Sequence, residues 1–104
     1  MKLSFHRRVQ GEVNEAARWY EEQREGLGDD FFLKLIAALE LIAALELIAA
    51  RPEGFGFWLG STTIRCIKTK RFPFSVLYEV RPGKVRVLCV RHDKRHPRFG
   101  SGRE

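Results

Sequence analysis

Uninterrupted apolar runs, metal-ligand spacings and catalytic signatures are all missing from this chain. The longest apolar stretch, within residues 35–50, is broken by Glu40 and Glu46. It falls short of the roughly 20 residues that a membrane span needs, so no membrane is expected as a partner. Residues 1–8, MKLSFHRR, carry positive charge with no apolar run behind it, which does not read as a secretory signal. Cysteine is scarce. Cys66 and Cys89 each sit in a segment that reads as a strand, and they are expected as two buried thiols of a reducing cytoplasm. A bridge between them would need adjacent strands and aligned sulfurs. Two distant cysteines, with His92 and His96 in a Pro-containing loop, lack the spacing of a metal site. Neither a metal nor a cofactor is expected. No Gly-rich phosphate loop and no Ser/His/Asp arrangement occurs.

Charge is plentiful and unevenly spread. Residues 62–98 hold eleven Lys/Arg and two acids, a local charge of +9, while residues 1–61 hold seven against ten, or −3. The net +6 averages two unlike halves. A basic half scaffolded by a neutral-to-acidic one suggests a polyanionic or acidic partner. With 104 residues, 44% hydrophobic and 31% charged, the chain should form one domain around one core. That domain is expected to span residues 1–99, with 100–104 as a flexible tail.

Residues 2–5 alternate enough for a short first strand. From 9 to 24, Val9, Val13, Ala16 or Ala17, and Tyr20 recur at the helical period. Gly26-Leu27-Gly28 breaks that helix, and Asp29 or Asp30 can cap the next. The second helix is expected to run to Ala50 and stop at Arg51-Pro52, because the proline ring disfavours helical dihedrals before it. Strands follow near 63–68, 74–80 and 85–91, the last two joined by the turn at Pro82-Gly83. The order β-α-α-β-β-β implies an α+β fold, a helical hairpin packed on one face of an antiparallel sheet.

The second helix contains a hexad, LIAALE at 35–40, repeated without change at 41–46 and begun again at 47–50. Six residues turn a helix by about 600°, so each copy is about 120° out of phase with the last. Apolar side chains then fall at all azimuths, and no polar face remains. With one copy removed the helix becomes ordinarily amphipathic. The spacing is not that of a coiled-coil seam, which repeats every 3.5 residues. The repeat reads as a tandem duplication, natural or engineered. If the helix stays a straight rod, its all-round apolar surface favours a homodimer through this helix, with exchange of the hairpin as one route. The other outcome is a slide by six residues that pushes the surplus into a neighbouring loop.

Alternation in the basic strands groups Val85, Val87, Cys89 and Arg91 on one face, and Arg86, Leu88, Val90 and His92 on the other. RNA cleavage needs a base, cations at phosphorus and an acid for the leaving oxygen. Tyr78, His92 and His96 are the available proton carriers, with Arg65, Lys68, Lys70, Arg71 and Arg91 as stabilisers. Arg86, Lys94, Arg95 and His96 form a basic surface that could bind a target. A basic sheet face is equally a soluble surface, and His6 has no assigned role.

Several elements together carry a family resemblance. They are Ala17-Arg18-Trp19-Tyr20, Gly26-Leu27-Gly28 with Phe31 or Phe32, Pro52, Ile64-Arg65, Phe72-Pro73-Phe74 through Tyr78, Val90-Arg91-His92 and Arg95-His96-Pro97. With them the chain resembles the RelE/ParE superfamily, toxins of type II toxin–antitoxin systems. The resemblance implies a compact helical hairpin on a sheet and an acidic antitoxin as partner. RelE-like members are ribosome-dependent mRNA endonucleases that use basic sheet residues and often a C-terminal tyrosine. ParE-like members lack that set and poison DNA gyrase. No tyrosine follows Tyr78 here, and the Trp19-Tyr20 and Gly26-Leu27-Gly28 pattern leans to the ParE-like side. Gyrase, or the ribosome with its mRNA, is the implied target, and a non-toxic duplicated variant is a third reading.

Overall fold

A computed structural model describes residues 2–48 and 56–104, the side chains of 45–48 excepted. The elements are β1 (Lys2–Phe5), α1 (Val9–Gln23), α2 (Leu27–Ile48), β2 (Ile64–Lys68), β3 (Phe74–Arg81) and β4 (Lys84–His92). This is the expected α+β order. The helix stop read at Arg51-Pro52 lies outside the described residues. The sheet runs β1-β4-β3-β2, with β2, β3 and β4 an antiparallel meander. Gly83 turns the β3–β4 hairpin at φ +74°, a conformation glycine adopts without strain. The first strand departs from the antiparallel reading, since β1 pairs with β4 in parallel. A tight turn imposes antiparallel sense only on the strands it joins, and β1 reaches the meander through both helices.

Helix α1 buries Val9, Val13, Ala16 and Tyr20, the period seen in the sequence. Its Glu21 carboxylate accepts the N–H groups of Gly26 (2.9 Å) and Gly28 (3.0 Å). The start of α2 is thus capped from the preceding helix, and Asp29 and Asp30 lie inside its first turn instead. A Cβ at Gly28 would sit 2.5 Å from the Ala17 carbonyl oxygen, so glycine there lets the two helices meet. Tyr20, Phe31, Phe72 and Phe74 stack at the junction of hairpin and sheet, with ring centroids 4.8–6.1 Å apart.

Both full copies of the hexad lie in one continuous helix, Leu27–Ile48, so no surplus enters the loop before α2, and the loop that follows lies outside the described residues. Twenty-two residues make a rod of about 33 Å along a molecule 40 Å in its longest dimension. Phe31, Leu35, Ala38, Leu39 and Ile42 are buried. The phase slip is visible side chain by side chain. Leu35 is 2% exposed, whereas Leu41, its counterpart one hexad later, is 44% exposed.

Strand β4 carries one residue more than β3 opposite it. Leu77 faces Cys89 and Tyr78 faces Val87, so Leu88 is the extra residue of a β-bulge. The strict alternation read from the sequence slips there. Val90 joins Val85 and Val87 under the helices, and Cys89 joins Leu88 in a second cluster on the opposite face. That face, read as open and basic, buries Ile64, Leu77, Leu88 and Cys89, with Trp58, Cys66 and Phe99 packed against them. Residues 100–104, expected as a flexible tail, lie against the sheet as well. Gly100 takes φ +84° and lies so close to the Cys89 side chain that a Cβ would overlap it. Cys66 and Cys89 face Leu77 from opposite strands, about 10 Å apart by strand spacing. Both are free thiols.

Candidate functional site

The sheet divides the expected site residues between its two faces. Residues paired across neighbouring strands share a face. Arg65 pairs with Tyr78, which is fully buried in the helix-side core. Phe74, in the same core, pairs with His92 and meets its ring edge-on at 5.2 Å. Lys68 pairs with Ser75 and Ser75 with Arg91, one residue further along and therefore on the opposite face. Arg65, Tyr78 and His92 are separated by the sheet from Lys68 and Arg91. The structure does not bring these residues to one centre.

Several of the cations have partners. Lys68 pairs with Asp93 at 2.9 Å, and the Ser75 hydroxyl donates to the other Asp93 oxygen at 2.6 Å. The Asp93 hydrogen bond and charge raise the Lys68 pKa. Burial alone would raise Asp93, but the Ser75 hydroxyl and the Lys68 ammonium outweigh it and hold the carboxyl below its ordinary value. Arg91 is 2% exposed. It donates to the carbonyls of Arg95 (2.6 Å) and Pro97 (3.2 Å) and lies 4.7 Å from the Trp58 ring centre. Its Nε has no partner among the described residues. Arg91 therefore shapes the loop after β4 from below.

The rest are peripheral. Arg65 stacks on Phe57 at 4.4 Å. Lys70 and Arg71 lie in the β2–β3 connection, where Arg71 has φ 72° and reaches Asp30 at 4.0 Å. Arg86 donates to the Phe5 carbonyl at 2.9 Å and to the Glu104 carbonyl at 3.2 Å, tying β1 and the C-terminal residues to β4. Lys94, Arg95 and His96 stand exposed on the loop after β4, with the Arg95 guanidinium 4.9 Å from the Phe99 ring centre. His92 and His96 each accept a backbone N–H at Nδ1, from Lys94 and Arg98.

Sequence reasoning passed over two residues that the fold joins. Glu12 of α1 accepts the Val90 N–H at 3.0 Å and pairs with Arg103 at 2.7 Å. Arg103 donates in turn to the Leu88 carbonyl at 3.1 Å. The pair thereby takes up two backbone groups at the bulge. Burial, then the Glu12 charge, pushes the neighbouring Cys89 thiol up to about 12. Nothing in the sequence marks a lone acid in a first turn and an arginine 91 residues away as partners. Beside them a groove of about 360 Å³ opens between α1 and the end of β4, lined by Glu12, Glu15, Trp19, Phe74, Val90, Arg91, His92, Arg95 and Phe99 among others. Among the described residues no group of His, Cys, Asp and Glu could hold a metal ion, and no helix is long and apolar enough to cross a membrane.

This architecture has a counterpart of known structure. The chain shares its fold with a chain of the solved structure described as a chromosomal ParDE TA system from P. aeruginosa. The TM-score is 0.65 at 17% identity, over 88% of this chain and 95% of that one. At this identity the likeness is one of fold. No family model and no curated protein matches the sequence.

Proposed function

We propose that the chain is the toxin of a type II toxin–antitoxin system, a ParE-like growth inhibitor that binds a macromolecular target such as DNA gyrase. An acidic antitoxin holds it in check, and both act in the cytoplasm. The observation that carries this reading is the near full-length likeness of fold to a chain of a ParDE system. The site geometry supports binding over cleavage. Lys68 is neutralised by Asp93, Arg91 is buried in loop contacts and Tyr78 lies in the core, so the nuclease candidates have no common centre. Lys94, Arg95, His96 and Arg98 remain on the surface as a compact basic patch suited to a target.

Controlled expression in bacteria, with and without the adjacent open reading frame, tests toxicity and its neutralisation. A supercoiling assay with gyrase, run beside an mRNA-cleavage assay on translating ribosomes, separates the two targets. Ribosome-dependent cleavage lost in Arg91→Ala and Lys68→Ala would replace this reading by the RelE-like one. Assembly belongs to the same proposal. Phe32, Leu33 and Leu41 are 46%, 64% and 44% exposed on α2, an apolar surface that supports a homodimer through this helix.

A further inference from the structure

The chain has three histidines, and all three make the same local contact. At Nδ1, His6 accepts the N–H of Arg8 (3.1 Å), His92 that of Lys94 (3.0 Å) and His96 that of Arg98 (3.1 Å). Each ring nitrogen closes a turn onto the backbone two residues on, as an Asn or Asp side chain does in an Asx-turn. Only the neutral imidazole can do this, because both nitrogens of the imidazolium are donors. His92 and His96 put two such turns into one loop, residues 92–98, which also carries the exposed Lys94, Arg95 and Arg98.

The other holds on this loop do not depend on an imidazole. Arg91 donates to the carbonyls of Arg95 (2.6 Å) and Pro97 (3.2 Å), and the Trp58 Nε1–H donates to the Pro97 carbonyl at 3.0 Å. The loop is thus fixed at these carbonyls, while the N–H groups of Lys94 and Arg98 have the imidazoles as acceptors. Charges of both signs surround the pair. His92 meets the Phe74 ring of β3, shares the groove lining with Glu12, Glu15 and Tyr20 of α1 and with Arg95, and has Asp93 beside it. His96 stands exposed, with Arg95 and Arg98 as its charged neighbours in the loop. Protonation would set N–H against N–H at both turns. It would also add two positive charges to a segment whose acid, Asp93, is already engaged by Lys68 and Ser75. Both effects oppose the closed turns.

We infer that the loop at 92–98 is an acid-released latch: neutral His92 and His96 hold its basic side chains in one arrangement, and their imidazolium forms let the two turns open. That the loop meets a target rests on the toxin reading; the latch itself rests on the two turns.

Nitrogen-15 relaxation on the full chain tests it, at about pH 7.5 and about pH 5.5, a range across which imidazoles change charge. Asp93, whose pKa is depressed, stays ionised throughout. The order parameters of the Lys94 and Arg98 amides should lie near the rigid value of about 0.85 at the higher pH and fall below about 0.6 at the lower. A variant carrying both His92→Asn and His96→Asn keeps an acceptor for each turn that no proton removes in this range, so both amides should stay rigid at both pH values. Wild-type amides that are equally ordered, or equally mobile, at the two pH values overturn the inference. So does an Asn variant that loosens in acid as much as the wild type. Neither result touches the toxin reading, which the growth and supercoiling assays test separately.

Discussion

Replacing Glu12 with alanine removes a carboxylate that holds three elements together. Its two oxygens join α1 to the Val90 N–H at 3.0 Å and to the Arg103 guanidinium at 2.7 Å. The side chains of Glu12 and Arg103 are 16% and 13% exposed, so water replaces neither contact well. The alanine variant leaves a buried N–H without its acceptor, at about 1–3 kcal/mol. It also leaves an arginine charge with one carbonyl in place of a counter-ion. Breaking a buried ion pair costs about 3–5 kcal/mol, less where some solvent reaches it. A loss of about 3 kcal/mol is expected, a large part of the roughly 5–15 kcal/mol that stabilises a domain. Urea denaturation of the wild type, Glu12→Ala, Arg103→Ala and the double variant measures it. The double variant should cost clearly less than the two single ones together. The Cys89 thiol, held up at about 12 by burial and then by Glu12, should titrate lower in Glu12→Ala and alkylate faster. Strict additivity, or a loss below about 0.5 kcal/mol, would refute the coupling of helix, bulge and C-terminal residues.

Acid stability reports on Asp93. Its pKa is depressed in the fold, so its contribution is present above about pH 4 and is lost as pH falls through the folded value. Asp93→Asn should therefore flatten the acid limb of stability below about pH 4, read from urea midpoints at a series of pH values. Gly28→Ala should cost about 1–3 kcal/mol by thermal or chemical unfolding, since its Cβ would press on the Ala17 carbonyl oxygen at 2.5 Å. Deleting residues 41–46 leaves the sequence of residues 27–44 unchanged, because the copies are identical. Its thermal midpoint should stay within a few degrees of the parent's, while light scattering should show a smaller assembly if the longer helix sets the oligomer.

The elements whose pattern is local were legible. Val9, Val13, Ala16 and Tyr20 announce α1 by their period, and Pro82-Gly83 announces the β3–β4 turn by its backbone requirements. What could not be read depends on contacts between distant segments. The bulge at Leu88 falls in an apolar run in which Val87, Leu88, Cys89 and Val90 suit either face equally, so a one-residue slip leaves no trace in hydrophobicity. The cap on α2 was misplaced to Asp29 or Asp30 because the carboxylate that serves it comes from Glu21, across the hairpin. The parallel pairing of β1 depends on the path of both helices, which no local signal encodes.

The basic strands were legible as charge and illegible as arrangement. Arginine presents a planar fork of N–H donors that can serve main-chain carbonyls as readily as phosphates. Here Arg81 and Arg86 reach the Glu104 carbonyl, Arg86 the Phe5 carbonyl, Arg91 the Arg95 and Pro97 carbonyls, and Arg103 the Leu88 carbonyl. Three of the eleven cations that suggested a polyanion site, Arg81, Arg86 and Arg91, thus serve main-chain carbonyls of the C-terminal residue and of the loop after β4. The same fastening leaves Lys94, Arg95, His96 and Arg98 on the outside of a loop whose backbone Arg91 holds from below. Among the described residues the candidate cations are thus spread over both faces of the sheet and its loops.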